Sequence, residues 1–189
     1  MKQDTQALNQ EWMERKMLLE VLNQGSMTVN ELIENVRERQ KKLSELGQKV
    51  PARPDNTIYM NWLNELRNTH MAIDNGARIL LTPLGQWLLT STCISTLRER
   101  YLFITKISCE HCHRAGFVSV LTIKPNTVQK DPRSSRMLIM TVECPKCRIV
   151  DKKPLTETLT ESQFHNQYNL VLADLKKNVR FMPQLVLPR

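Results

Sequence analysis

Two Cys-x-x-Cys pairs constrain this chain more than any other feature. Cys109-Glu-His-Cys112 and Cys144-Pro-Lys-Cys147 are separated by the 31 residues 113–143. Two residues between thiolates let one tight turn aim both sulfurs at a single ion. Two such turns complete the tetrahedron that Zn²⁺ prefers, with bonds of about 2.3 Å. Four thiolates leave no open coordination position, so one zinc held there is structural rather than catalytic. Apparent binding energies on the order of 10 kcal/mol or more stabilise a segment too small to rely on its own apolar core.

The opposing explanation for paired cysteines is a disulfide, which needs an oxidising compartment. The first residues, Met-Lys-Gln-Asp-Thr-Gln, carry no apolar signal core, and no stretch approaches the roughly 18 consecutive apolar residues of a membrane span. The expectation is a cytoplasmic protein with reduced thiols, nucleoid-associated if it regulates transcription from DNA. A redox site of the thioredoxin kind uses one such pair in a βαβ setting. Between the pairs, residues 117–123 and 137–142 have strand composition. A strand following one knuckle and another entering the second resembles a zinc ribbon over about residues 104–153. His111 and His113 flank the first knuckle and are read as exposed. Cys93 falls on an apolar helix, where it reads as a small buried hydrophobe.

Ahead of the cysteines, apolar residues recur at helical spacing. Leu8, Trp12, Leu19 and Leu22 form one stripe, stopped by Gly25. Thr28 and Glu31 form a capping box for a second helix with Leu32, Ile33 and Val36 inward. Two prolines at 51 and 54 exclude a helix from the loop that follows. Asp55 or Asn56 caps a third helix, with Ile58 or Tyr59, Trp62 and Leu66 facing the core. Asn75-Gly76 signals a hairpin, and Thr82-Pro83 opens a helix carrying Leu84, Trp87, Leu88 and Ile94.

Three helices, a hairpin and a returning helix resemble the winged helix-turn-helix domain. Ile79-Leu80-Leu81-Thr82-Pro83-Leu84-Gly85-Gln86-Trp87-Leu88-Leu89 is similar to the pattern of MarR-like and PadR-like regulators. The fold class expected is therefore α+β: a winged-helix domain over 1–102, a zinc ribbon over 103–155, and a C-terminal helix with an apolar tail over 156–189. The spacing departs from that family, because a long helix and loop precede the third helix where a three- or four-residue turn is usual. The resemblance implies that the third helix enters the major groove with Asn61, Asn64, Arg67 and Asn68 outward, residue types that pair with base edges. Arg78 on the hairpin would approach phosphate or the minor groove. The bland reading of the same face is an ordinary solvated surface.

Charge locates a second candidate surface. Lys plus Arg number 27 against 19 Asp plus Glu, a net +8. Residues 1–100 hold 13 basic and 12 acidic side chains, and residues 101–189 hold 14 and 7. The surplus thus sits around the cysteines, and a single-sign patch attracts polyanions. Lys124, Lys130, Arg133 and Arg136 stand on the loop between the two strand segments. Lys146, Arg148, Lys152 and Lys153 stand on or just after the second knuckle. Together they make a candidate phosphate-contacting surface, against which stands a loop that only aids solubility.

A capping box at Thr160 and Gln163, with Leu159 and Phe164 as a staple, starts a last helix bearing Phe164, Tyr168, Leu175 and Val179. It either packs on the first domain or offers a stripe for a second copy or another protein. No glycine-rich phosphate loop, nucleophile elbow or H-E-x-x-H motif occurs. The functions expected are those of a non-enzymatic nucleic-acid-binding protein without a membrane role, its ligand DNA before RNA. It acts as a transcriptional regulator or as an adaptor subunit of a nucleoprotein complex, such as a CRISPR-type effector or the transposition or transcription machinery.

Overall fold

The computed structural model describes residues 2–47, 55–124, 126–132, 138–154, 160–179 and 181–188, with side chains from residue 11 onward. These form two compact units, Met1–Thr90 and Ser91–Arg189. The contacts divide the chain after Thr90, so the helix that begins at Leu97 belongs to the second unit.

The first unit runs α1 (Lys2–Leu22), α2 (Val29–Glu45), α3 (Asn56–Asn68), β1 (Ala72–Asn75), β2 (Arg78–Leu81) and α4 (Pro83–Thr90). Its helices start where side chains satisfy the first free amides. Thr28 Oγ1 accepts from the Glu31 amide at 3.3 Å while Glu31 accepts from the Thr28 amide at 2.7 Å. Asp55 accepts from the Thr57 and Ile58 amides. The hairpin turns on Gly76 and Ala77, with Asn75 paired to Arg78. Only Gly76 takes a positive φ, +64°, as in a type II′ turn. Met27 exchanges both backbone hydrogen bonds with Ile79 and so extends the hairpin by one more short segment.

Leu18, Leu19, Leu22, Leu32, Tyr59, Leu63, Ile79, Leu84 and Leu88 form the core of this unit. Of the alternatives at the start of α3, Tyr59 is buried and Ile58 is exposed. Gly85 is required by close approach: a Cβ there would lie 2.2 Å from the Met71 carbonyl oxygen and 2.6 Å from the Leu81 side chain. The helix opened by Thr82-Pro83 stops at Thr90 and does not reach Ile94. Buried Arg100 explains the break, since its guanidinium binds the Ser91 carbonyl and, at 2.8 Å, that of Ile94. Those carbonyls are therefore turned away from any helical ladder. Cys93 consequently lies in a bend, half-buried, with Sγ 3.0 Å from Ser91 Oγ, and not on a helix.

The second unit contains α5 (Leu97–Lys106), α6 (Glu110–Arg114), β3 (Val118–Ser119), β4 (Thr122–Ile123), β5 (Gln129–Lys130), β6 (Leu138–Glu143), β7 (Val150–Pro154), α7 (Glu161–Asn178) and β8 (Leu185–Val186). The sheet is centred on β6, with antiparallel β4 and β5 along one edge and antiparallel β7 along the other. Strand β7 has the composition of a loop, because its edge position leaves Asp151 and Lys152 in solvent. Helix α5 starts from a second capping box, Thr96 with Glu99.

Helix α7 starts at the Thr160–Gln163 box; Leu159, its proposed staple partner, lies outside the described residues. Two residues of its stripe have partners within the same unit. Phe164 stacks on Phe103 at 5.4 Å, and the buried Tyr168 hydroxyl donates to the Leu121 carbonyl at 2.7 Å. The apolar tail is not a loose end: β8 runs parallel to β3, with the Val118 and Val120 amides donating to Gln184 and Val186. No helix among the described residues is long and apolar enough to cross a membrane.

Candidate metal centre

The four knuckle cysteines converge. Sγ of Cys109 lies 3.6 Å from that of Cys147, Sγ of Cys112 lies 3.5 Å from that of Cys144, and all four fall within 4.8 Å of one another. A tetrahedron with bonds of about 2.3 Å has sulfur–sulfur edges of about 3.8 Å. The cluster thus has the size of a four-thiolate metal site. Cys109, Cys112 and Cys144 are buried and Cys147 reaches the surface.

Each knuckle is held by its own backbone. Cys109 is the N-cap residue of α6 and Cys112 lies on its first turn, so helix geometry sets their separation. The second pair occupies the connection from β6 to β7. There the Arg148 amide donates to the Cys144 carbonyl, the Cys144 amide donates to the Ile149 carbonyl, and the Cys147 amide donates to Cys144 Sγ at 3.4 Å. Arg148 closes this turn at φ +64°, a conformation non-glycine side chains rarely adopt.

Ser119, fully buried on β3, joins the two knuckles. Its carbonyl accepts from the Cys109 amide at 2.8 Å, and its hydroxyl lies 3.2 Å from Cys144 Sγ. Burial pushes the Cys112 thiol up to about 12, with the neighbouring thiols adding to the effect. Burial acts the same way on Cys144, but hydrogen bonds from Ser119 and from the Cys147 and Lys146 amides outweigh it and bring that thiol down to about 6. Donors aimed at a ligating sulfur are the usual outer layer of a metal site. Ser119 could not be found from motif spacing, since it lies outside both knuckles in an apolar run. His111 is exposed as expected, but His113 is half-buried, its Nδ1 shielded from solvent.

The basic residues near the cysteines are differently employed. Lys130 and Lys152 are exposed and make no ion pair among the described residues. Exposed Lys146 sits 3.5 Å over the Phe117 ring. Arg148 is 74% exposed and 3.9 Å from Glu143, which Lys124 contacts at 2.8 Å. Lys153 is largely covered and pairs with Glu110 and Asp151. Arg133 and Arg136 lie outside the described residues.

On α3, Asn61, Asn64 and Asn68 are exposed. Arg67 is held by Asp74 of β1 through Nε and a terminal nitrogen, at 3.1 and 2.8 Å, and by Asn64 at 3.1 Å. Arg78 donates twice to the Ser26 carbonyl and lies 3.4 Å from Glu31, tying the hairpin to the α1–α2 connection. The Arg78 pairings join residues distant in sequence and carry no local pattern, whereas Arg67 meets Asn64 one helical turn away.

The chain was compared with family models, curated proteins and solved structures. It matches none of them. The metal centre therefore rests on its own geometry.

Proposed function

We propose that the protein is a non-enzymatic nucleic-acid-binding protein, built from a winged helix-turn-helix unit and a zinc ribbon. The observation that carries this reading is the cationic surface around the second knuckle. Lys146, Arg148 and Lys152 are exposed on or beside a turn whose ends are two metal-ligand cysteines. Cations on a fixed turn lose little conformational freedom when they meet phosphates, which favours binding over a merely solubilising role. One Zn²⁺ bound by Cys109, Cys112, Cys144 and Cys147 would be closed to substrate and would supply folding energy, not Lewis-acid chemistry.

The leading version is a DNA-binding transcriptional regulator. Asn61, Asn64 and Asn68 offer amide groups from one helix, and amides pair in two places with adenine. The α1–α2–α3–hairpin–α4 order, with Met27 pairing to Ile79, supports the winged-helix reading. The second version is an adaptor subunit of a larger nucleoprotein complex that grips nucleic acid without reading bases. The engagement of Arg67 by Asp74 and of Arg78 by Ser26 favours it, because both arginines are already committed within the unit.

Selection from a random duplex pool, with competitor RNA present, separates the two. A regulator returns one sequence whose affinity falls on Asn64→Ala far more than that of random DNA. An adaptor returns no consensus, and loses affinity equally on all sequences when Lys152 is replaced by alanine.

A further inference from the structure

A groove of about 440 Å³ opens beside the second knuckle, lined by Thr122, Glu143, Pro145, Arg148, Val186 and Leu187. That volume lies in the range of small-ligand sites. Three of its residues are covalent neighbours of the ligand cysteines: Glu143 and Pro145 bracket Cys144, and Arg148 follows Cys147. Val186 and Leu187 of the lining belong to the tail whose Leu185–Val186 strand β3 holds in parallel register. Walls fixed by a metal turn and by a sheet are preorganised for a guest.

The lining defines that guest. Pro145, Val186 and Leu187 offer apolar contact to a flat, weakly polar face. Glu143 offers only hydrogen-bond acceptors, with four lone-pair sites of which the Lys124 contact at 2.8 Å uses one. Arg148, 3.9 Å from the same carboxylate, keeps its donors available beyond hydrogen-bond distance. Two cations around one carboxylate disfavour a cationic guest and suit one that also carries a phosphate. A flat ring with N–H donors on its edge and a phosphate on its sugar is a nucleotide. Among the bases, guanine alone presents two adjacent donors, N1–H and N2–H, to a carboxylate; the others set an acceptor against it.

We propose that this groove captures an unpaired guanine of a nucleic-acid strand, with Glu143 accepting from its Watson–Crick edge and Arg148 meeting a flanking phosphate. This rests on the nucleic-acid-binding reading and deepens it. Single strands are read in this way, through base edges and apolar or guanidinium faces.

The test measures anisotropy of labelled dT₁₂ and of the same strand with one central dG, on zinc-loaded full-length protein. The dG strand should bind about ten-fold tighter, the usual scale of a two-bond base contact. Deoxyinosine, which lacks the N2 amino group, should recover only part of that gain. Glu143→Gln should erase the preference. Leu187→Trp, which fills the groove and leaves the carboxylate in place, should erase it too. Equal affinity for both strands, or a preference that survives both substitutions, overturns the groove proposal while leaving strand binding intact. Absence of binding to either strand at low salt overturns the nucleic-acid reading itself. Free guanosine monophosphate should displace the dG strand only at far higher concentration; displacement at strand-like concentration would overturn capture from a strand and assign the groove to the nucleotide.

Discussion

Ser119 contributes twice to the metal centre, through a carbonyl on one knuckle and a hydroxyl on the other. Ser119→Ala removes only the second contact, so the fold should persist while metal affinity falls. Outer contacts of this kind are worth about 10–100-fold, and competition with a chromophoric chelator reads the change directly. Cys112→Ser removes a ligand and should abolish stoichiometric zinc, measured by elemental analysis. Gly85 poses a different constraint at the same scale. Its neighbours are a backbone carbonyl and a buried leucine, so Gly85→Ala forces backbone movement and should cost about 1–3 kcal/mol. Thermal melting would show it as a lowered midpoint. The cysteine spacing was readable from the chain itself, because tetrahedral geometry restricts which separations work. Ser119 was not, since its role depends on where β3 passes relative to the knuckles.

At the scale of elements, caps and periodicity were the readable signals. The boxes at Thr28 and Thr160 form as their motifs require, and the one at Thr96 is masked in the sequence by apolar spacing that continues the preceding helix to Ile94. Local chemistry there favours a start, but deciding that the previous helix has stopped needs Arg100, whose carbonyl partners are set by folding. Thr96→Ala should cost about 1 kcal/mol, seen as a shift in the denaturant midpoint with an unchanged slope. Strands β7 and β8 are not legible in the sequence, for opposite reasons. Charged Val150–Pro154 pairs only because β6 offers it a free edge, and apolar Leu185–Val186 pairs with a strand far away in the chain.

For the whole molecule, the surplus charge and the four candidate metal ligands both lie in Ser91–Arg189. Chelation should therefore collapse the second unit's tertiary signals while helices α1–α4 keep theirs, a contrast that residue-resolved amide exchange can separate. Binding to any nucleic acid should be strongly salt-dependent, and Lys152→Ala should reduce the slope of log K against log salt by about one. The composition established that surplus cations lie in the second half. It could not say which are occupied internally. Glu143 engages Lys124 from β6, while Glu110 of α6 and Asp151 of β7 engage Lys153, so the surface that meets solvent is smaller than the count of basic residues suggests.

The parallel pairing of β3 with β8 also sets an order of events. During synthesis Cys147 is made well before Leu185, so the metal ligands are complete while the strand that closes this small sheet is still to come. Pairings between distant segments pay their loop-closure entropy late and form slowly. The tail is thus the last strand able to join the sheet, and with Zn²⁺ supplied during refolding the four ligands should be protected before β3 and β8 pair, an order that pulse-labelled amide exchange would show.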